Sequence, residues 1–213
     1  PCRAVHIFMN ANKIRYQDIL VDLPGGEPSS EQFKEINRFQ TIPCIIDKDF
    51  KLSESIAIFR YFVGEYELIA DHWYPKNDNK KRARIDEYLE WQHQKTRLCL
   101  TLYFRHVWWN PRIGISTKPE VAERRTRDMS NCLDIIENIW LTNDKKFVAG
   151  DEISVADLLL ACEVEQIKIV GYDPFFKRPK LEKYMDMVRE AANPYYDHIH
   201  ELVYSLVPNK SKI

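Results

Sequence analysis

Residues 41–62 have the sequence TIPCIIDKDFKLSESIAIFRYF, and this stretch decides the fold of the first part of the chain. The apolar run at 43–46 is typical of a buried strand, and the turn residues at 47–49 reverse the chain into a second strand at 50–52. Over 55–66 the apolar residues recur with the spacing of a helix. The pattern therefore predicts a strand, a turn, a second strand and a helix in direct succession.

Three further elements are predicted before this stretch. Residues 4–9 place their apolar side chains on one face of a short helix, and residues 16–23 alternate as a strand that ends at the Pro-Gly-Gly turn 24–26. Residues 31–36 can form another short helix. The order helix, strand, helix, strand, strand, helix is that of a small α/β domain.

The pattern changes after a polar stretch at 71–79. From about Lys80 the chain is almost entirely helical in pattern. Turn-forming residues interrupt it at 110–111, 150–151, 171–174 and 193–194. We therefore predict an α/β domain at 1–68, a linker at 69–79 and an all-helical domain at 80–213.

Composition excludes several classes of function. The 213 residues contain 31 basic and 32 acidic side chains, a net charge of −1, which predicts neither nucleic acid nor an anionic membrane as a partner. The five cysteines include no CxxC pair, so we expect no disulfide framework, a reducing compartment and a cytoplasmic protein. The six histidines are scattered and no metal-ligand spacing occurs, so no metal site is expected.

A complete helix-start signature lies at 153–158. Ser154 can cap the helix and accept from the amide of Asp157, whose carboxylate can reach back to the Ser154 amide. Ile153 and Leu158 occupy the two positions of a hydrophobic staple. We interpret this motif as structural, because it starts a buried helix.

Two polar features near the first strands have both a structural and a functional interpretation. A cis bond before Pro43 would turn the backbone of Ile42 outward, where its N–H and C=O could pair with another peptide. Glu54 and Ser55 stand at a helix start, where free amides favour a carboxylate and Glu54 could accept from an ammonium. Taken alone, Pro43 is also an ordinary strand start and Glu54–Ser55 an ordinary helix cap.

The order of these features resembles the thioredoxin-like domain of glutathione S-transferases, and the motif after Ser154 resembles the capping motif of their helical domain. Four local sequences resemble the theta class or its insect-like relatives. PCRAV at 1–5 is similar to the segment after the theta catalytic serine, and DHWYP at 71–75 to the theta linker. RARIDEYLEWQH at 82–93 is similar to the first theta helical-domain helix, and NPYYD at 193–197 to insect members. The resemblance covers Pro1 to about Tyr204.

The resemblance implies the glutathione transferase fold, with a thioredoxin-like N-terminal domain whose first strand is missing from this sequence, and an all-α C-terminal domain. It implies a transferase that conjugates reduced glutathione, its co-substrate, to small hydrophobic electrophiles in detoxification, as a homodimer without another cofactor. The catalytic serine is expected two residues before Pro1, outside this chain. The alternative is a non-catalytic binding or scaffold protein on the same fold.

The resemblance also assigns site residues. Arg97 matches a theta arginine beside the sulfur, although a surface arginine is the alternative. Helical spacing places it on one side with Gln94, Thr101, Arg105 and Trp108, and the last three would border the electrophile. The positions near the glycyl end hold no basic residue. The residues that would bind glutathione are Gln40, Thr41, Ile42, Pro43, Glu54 and Ser55.

Overall fold

The computed structural model describes residues 1–142 and 145–208, so residues 209–213 of the predicted helical domain lie outside it. Its first part is a small α/β unit. Strands β1 and β2 pair antiparallel, with Cys44 opposite Ser53 and Asp47 opposite Phe50. The elements are α1 (Cys2–Ala11), α2 (Glu31–Ile36), β1 (Cys44–Asp47), β2 (Phe50–Ser53) and α3 (Ser55–Glu65).

The second part is helical, as predicted. Two π-helical turns, Arg105–Trp109 and Ile136–Trp140, extend α5 and α7. No helix among the described residues has both the length and the apolar character to cross a membrane. The helices are α4 (Asn79–Gln94), α5 (Thr96–Phe104), α6 (Asn110–Arg112), α7 (Pro119–Ile135), α8 (Val155–Lys168), α9 (Pro179–Ala192) and α10 (Tyr195–Leu206).

Helix α8 is the centre of the core. Almost every residue of it is buried, because α1, α4, α5 and α9 pack around it. Helix α1 joins the two parts of the molecule, since Phe8 packs edge-on against Phe59 of α3 and Trp73 of the linker, with ring centroids 5.2 and 5.6 Å apart. The core is therefore continuous between the α/β unit and the helical unit.

The predicted helix start at Ser154 is confirmed. The reciprocal capping box is present, and Oδ2 of Asp157 accepts from the Ser154 amide at 2.8 Å and from its hydroxyl at 2.7 Å. Oδ1 accepts from the Val148 amide at 2.9 Å and from the Tyr184 hydroxyl at 2.8 Å. Burial raises the pKa of Asp157, and these four hydrogen bonds oppose that rise. The carboxylate thus ties the start of α8 to the preceding loop and to α9.

Two strand predictions were wrong in part. Residues 16–23 form no strand, because no described strand offers them backbone partners, and an extended segment is a strand only when it is paired. Their side chains are largely exposed, with Leu20 94% accessible. The strand at 43–46 was expected to be buried, but Ile46 is 50% exposed because β1 has β2 as its only partner among the described strands.

Candidate functional site

A cavity of about 190 Å³ lies where the α/β unit meets the helical unit. The α/β unit contributes the residues before β1 and the first residues of α3, while α4, α5 and α8 form the opposite wall. Five of the six predicted glutathione-binding residues and Arg97 are among the lining residues. The complete lining consists of Pro1, Thr41, Ile42, Pro43, Glu54, Ser55, Gln92, His93, Arg97 and Leu159.

A buried asparagine fixes the loop that carries Thr41 and Ile42. The side chain of Asn37 donates to the carbonyl of Thr41 at 2.6 Å and accepts from the amide of Phe39 at 3.0 Å. The Ile42–Pro43 bond is cis, as predicted. Sequence reasoning missed Asn37, although an asparagine can accept from the backbone amide two residues on in an Asx turn, as Asn37 does from Phe39.

Glu54 connects β2 to α3 in an unusual backbone conformation. Its φ is 71°, in the left-handed region that non-glycine residues rarely adopt. Such a residue costs on the order of 1–3 kcal/mol and persists where the surroundings impose it, often at binding sites. Within the described part of the chain, neither the Glu54 carboxylate nor the Ser55 hydroxyl has a hydrogen-bond partner, so both are available to a ligand at the positive end of α3.

Gln40 is not among the lining residues, and its contact with glutathione stays a prediction. Its side-chain amide instead donates to the carbonyl of Pro28 at 2.9 Å. Its φ of 53° turns the chain before Thr41. Gln40 therefore holds two loops together next to the cavity.

Arg97 reaches the cavity from α5 and forms an ion pair with a residue that sequence reasoning missed. Its Nη1 donates to Oε1 of Glu163 in α8 at 2.7 Å, and the Thr101 hydroxyl lies 3.4 Å from Oε2 of the same carboxylate. Oε1 also lies 4.0 Å from the nitrogen of Pro1. The side chain of Arg97 is 40% exposed, but its partner Glu163 is buried, so the ion pair ties the arginine to the core. Its role beside the sulfur stays a prediction.

The predicted common face of Gln94, Arg97, Thr101, Arg105 and Trp108 is only partly right. Gln94 ends α4 and Lys95 breaks the helix before α5, so Gln94 belongs to a different helix. The π-helical turn then changes the angular spacing of the side chains from Arg105 onward.

Thr101, Arg105 and Trp108 are not among the lining residues. Arg105 and Trp108 lie in the π-helical turn that continues α5. Arg105 is exposed. Trp108 stacks on Phe104 with ring centroids 5.1 Å apart, and the Arg112 guanidinium lies 4.0 Å from its ring centroid.

Neither a reactive cysteine nor a metal centre is present near the cavity in the described structure. Burial raises the pKa of the Cys2 thiol, so it is protonated at neutral pH. No group of three His, Cys, Asp or Glu side chains in the described ranges is placed to hold a metal ion.

The two units and the cavity between them define an α/β domain of thioredoxin type joined to a helical domain. Comparison with known proteins gives the same result. Residues 2–64 match the family described as glutathione S-transferase, N-terminal domain, and residues 90–191 match glutathione S-transferase, C-terminal domain. The chain belongs to the glutathione S-transferase family.

Its relatives are named as theta-class or plant T-type enzymes. Glutathione S-transferase theta-3 of Mus musculus is 36% identical over 208 residues, covering 95% of this chain and 84% of that protein. Glutathione S-transferase T2 of Arabidopsis thaliana is 34% identical over 209 residues, covering 96% of this chain but 35% of that protein. This chain thus spans about a third of the length of the Arabidopsis relative. The likeness to insect members stays a prediction.

A solved structure has the same architecture. The human theta-class glutathione transferase in complex with the glutathione conjugate of 1-menaphthyl sulfate superposes with a TM-score of 0.90 at 33% identity. The match covers 97% of this chain and 84% of that structure. The predicted combination of a thioredoxin-like domain and an all-helical domain is therefore confirmed.

Proposed function

We propose that this protein binds reduced glutathione in the cavity between its two units and conjugates it to small electrophilic compounds. The observation that carries the proposal is the convergence of Ile42, Glu54 and Ser55 with Arg97 in one cavity. The first three are backbone or side-chain groups suited to a peptide, and the fourth is a cation suited to a thiolate. The names of the theta-class relatives support the same activity.

Glutathione is a tripeptide, and the α-amino acid head group of its γ-glutamyl residue occupies the start of α3. Its carboxylate accepts from the Ser55 hydroxyl and from the free amides of the first helical turn, where the helix dipole favours negative charge. Its ammonium donates to the Glu54 carboxylate. Charge-assisted hydrogen bonds of this type are stronger than neutral ones, so this end anchors the ligand.

The cysteinyl part lies along Ile42 and pairs with its backbone in the manner of an added strand. The glycyl end then points toward Thr41 and the loop held by Gln40. The neutral side chains of Thr41 and Gln40 offer hydrogen bonds there.

The reacting sulfur lies opposite, near Arg97. A free thiol has a pKa of about 8.5, so only a small fraction is ionised at neutral pH. A guanidinium beside the sulfur favours the thiolate. The thiolate forms a bond to the electrophilic carbon, and the electron pair of the broken bond leaves with halide or sulfate, or remains on an epoxide oxygen that then takes up a proton.

The electrophile occupies the surface along Thr101, Arg105 and Trp108, on the helical turns that follow Arg97. The human theta-class structure bound to a glutathione conjugate supports a product of this type. We further propose that the protein acts in the cytoplasm as a homodimer in detoxification. The five free cysteines agree with a reducing compartment.

The test is retention of the full-length protein on immobilised glutathione. The double variant Glu54→Ala, Ser55→Ala should lose retention, because both groups for the head group are removed. The matched control is Ser30→Ala, Glu31→Ala at the start of α2. Ser30 caps that helix by accepting from the Phe33 amide at 3.1 Å, and neither residue lines the cavity. Retention of the Glu54–Ser55 variant equal to that of the control, with both proteins folded, would place glutathione elsewhere.

A further inference from the structure

Glu163 is a buried carboxylate beside the candidate site. It lies one helical turn after Leu159 of α8, which lines the cavity, and is 4% exposed. Its two oxygens contact successive turns of α5: Oε1 accepts from Arg97 at 2.7 Å, and the Thr101 hydroxyl lies 3.4 Å from Oε2. The carboxylate therefore holds one face of α5 against α8.

Arg97 depends on this contact for its orientation. Its side chain is 40% exposed, and an arginine that projects into water has many rotamers. Within the described ranges, its only side-chain hydrogen bond is the one from Nη1 to Glu163, so Nε and Nη2 are free to bind a ligand. The guanidinium has a fixed planar geometry, so anchoring one nitrogen directs the others.

We propose that Glu163 is a positioning residue, which holds the Arg97 guanidinium against the cavity wall so that its free donors face the sulfur of bound glutathione. This inference rests on the proposed function. It assigns a role to a residue in the helical unit that itself does not line the cavity.

A second role of the carboxylate would have the opposite effect on the sulfur. The negative charge of Glu163 opposes the charge of Arg97, so a carboxylate that only screened the arginine would raise the pKa of the bound thiol. Removing it would then lower that pKa. If Glu163 positions Arg97, its removal should instead raise the pKa of the bound thiol, because Arg97 would then turn away from the sulfur into the solvent.

The experiment measures the pKa of bound glutathione from the pH dependence of thiolate absorbance, in the full-length protein. Arg97→Leu should raise this pKa by about one unit, since it removes an opposite charge near the sulfur. Glu163→Leu should raise it toward the Arg97→Leu value. Glu163→Gln should keep it at or below the wild-type value, because the amide oxygen can still accept from Arg97 while the opposing negative charge is gone. The double variant Arg97→Leu, Glu163→Leu should match Arg97→Leu alone.

The matched control is Glu165→Leu on the same helix. Glu165 is also 4% exposed. It accepts a hydrogen bond from the Tyr196 hydroxyl at 3.1 Å and forms an ion pair with Lys168 at 3.0 Å, and neither contact involves Arg97. The variant Glu165→Leu should lower the melting temperature, as Glu163→Leu should, but it should leave the pKa of the bound thiol unchanged. The melting temperature alone therefore does not separate the two residues, and the thiol pKa does.

The outcomes separate the two proposals. A thiol pKa that falls or stays unchanged in Glu163→Leu, while the wild-type protein lowers it, overturns the positioning role. A wild-type protein that neither retains glutathione nor lowers its thiol pKa overturns the proposed function and this inference together. A rise in Glu163→Leu that is absent in the Arg97→Leu background supports the positioning role.

Discussion

Replacement of His200 tests how the last helix is held in the core. His200 is completely buried in α10. Its Nδ1 donates to the Tyr196 carbonyl at 2.8 Å, and its Nε2 has no partner among the described residues. Burial, followed by the charge of Arg3, lowers the pKa of His200 from 6.5 to about 3.

The sign of the pH effect follows from these two pKa values. Between about pH 6.5 and pH 3 the unfolded chain binds a proton at this histidine and the folded protein does not, so the free energy of unfolding falls as the pH falls. The slope is about 1.36 kcal/mol per pH unit, which gives a loss on the order of 3 kcal/mol between neutral pH and about pH 4.5. The stabilisation that comes from the neutral histidine is complete above about pH 6.5 and is lost progressively as the pH falls toward about 3.

The variant His200→Phe keeps an aromatic ring between Tyr196 and Tyr204 but cannot be protonated. Urea unfolding at a fixed protein concentration, from about pH 7.5 to about pH 4.5, should show a loss of unfolding free energy smaller by on the order of 3 kcal/mol in this variant than in the wild-type protein. His198→Phe is the control, because His198 is exposed on the same helix, and its loss should match the wild-type loss. An equal loss in His200→Phe and wild type would refute a buried neutral histidine.

Two further predictions concern the core and the assembly. Asp157→Ala leaves the Val148 and Ser154 amides and the Tyr184 hydroxyl buried without their acceptor, so it should lower the free energy of unfolding by on the order of 3–5 kcal/mol in urea. Glu87→Ala, which removes an ion pair to Arg84 between two exposed side chains, should cost less than about 1 kcal/mol, and a similar cost for both variants would contradict this. Light scattering should give a mass near twice the 25.3 kDa of one chain, whereas a single-chain mass at micromolar concentration would count against the proposed dimer.

Short-range chemistry made several elements predictable from the sequence. The helix at 31–36 and the capping box at Ser154 depend on contacts between residues three or four apart, which a sequence displays directly. The pair Glu54–Ser55 at a helix start is local in the same way. Features of this kind need no knowledge of what packs against them.

Features that depend on distant partners were not predictable. Glu163 looks like any helical glutamate in the sequence, and only the packing of α8 on α5 shows that it is buried against Arg97, 66 residues earlier in the chain. The alternation at 16–23 shows strand propensity but not the presence of a pairing partner. The π-helical turn at Arg105 departs from the 3.6 residues per turn on which the predicted common face depends.

The cavity has two walls of different physical character, and this difference suggests a division of labour. Ile42, Glu54 and Ser55 lie at the ends of elements, where backbone amides and carbonyls are not used by a helix or strand ladder and can bind a peptide. On the helical side, Arg97 reaches the cavity with its side chain from the first turn of α5, and Glu163 of α8 holds that side chain from behind the wall. Changes at the first wall should therefore appear mainly as lost affinity for glutathione. Changes at the second wall should appear mainly in the ionisation of its thiol, even where binding is retained.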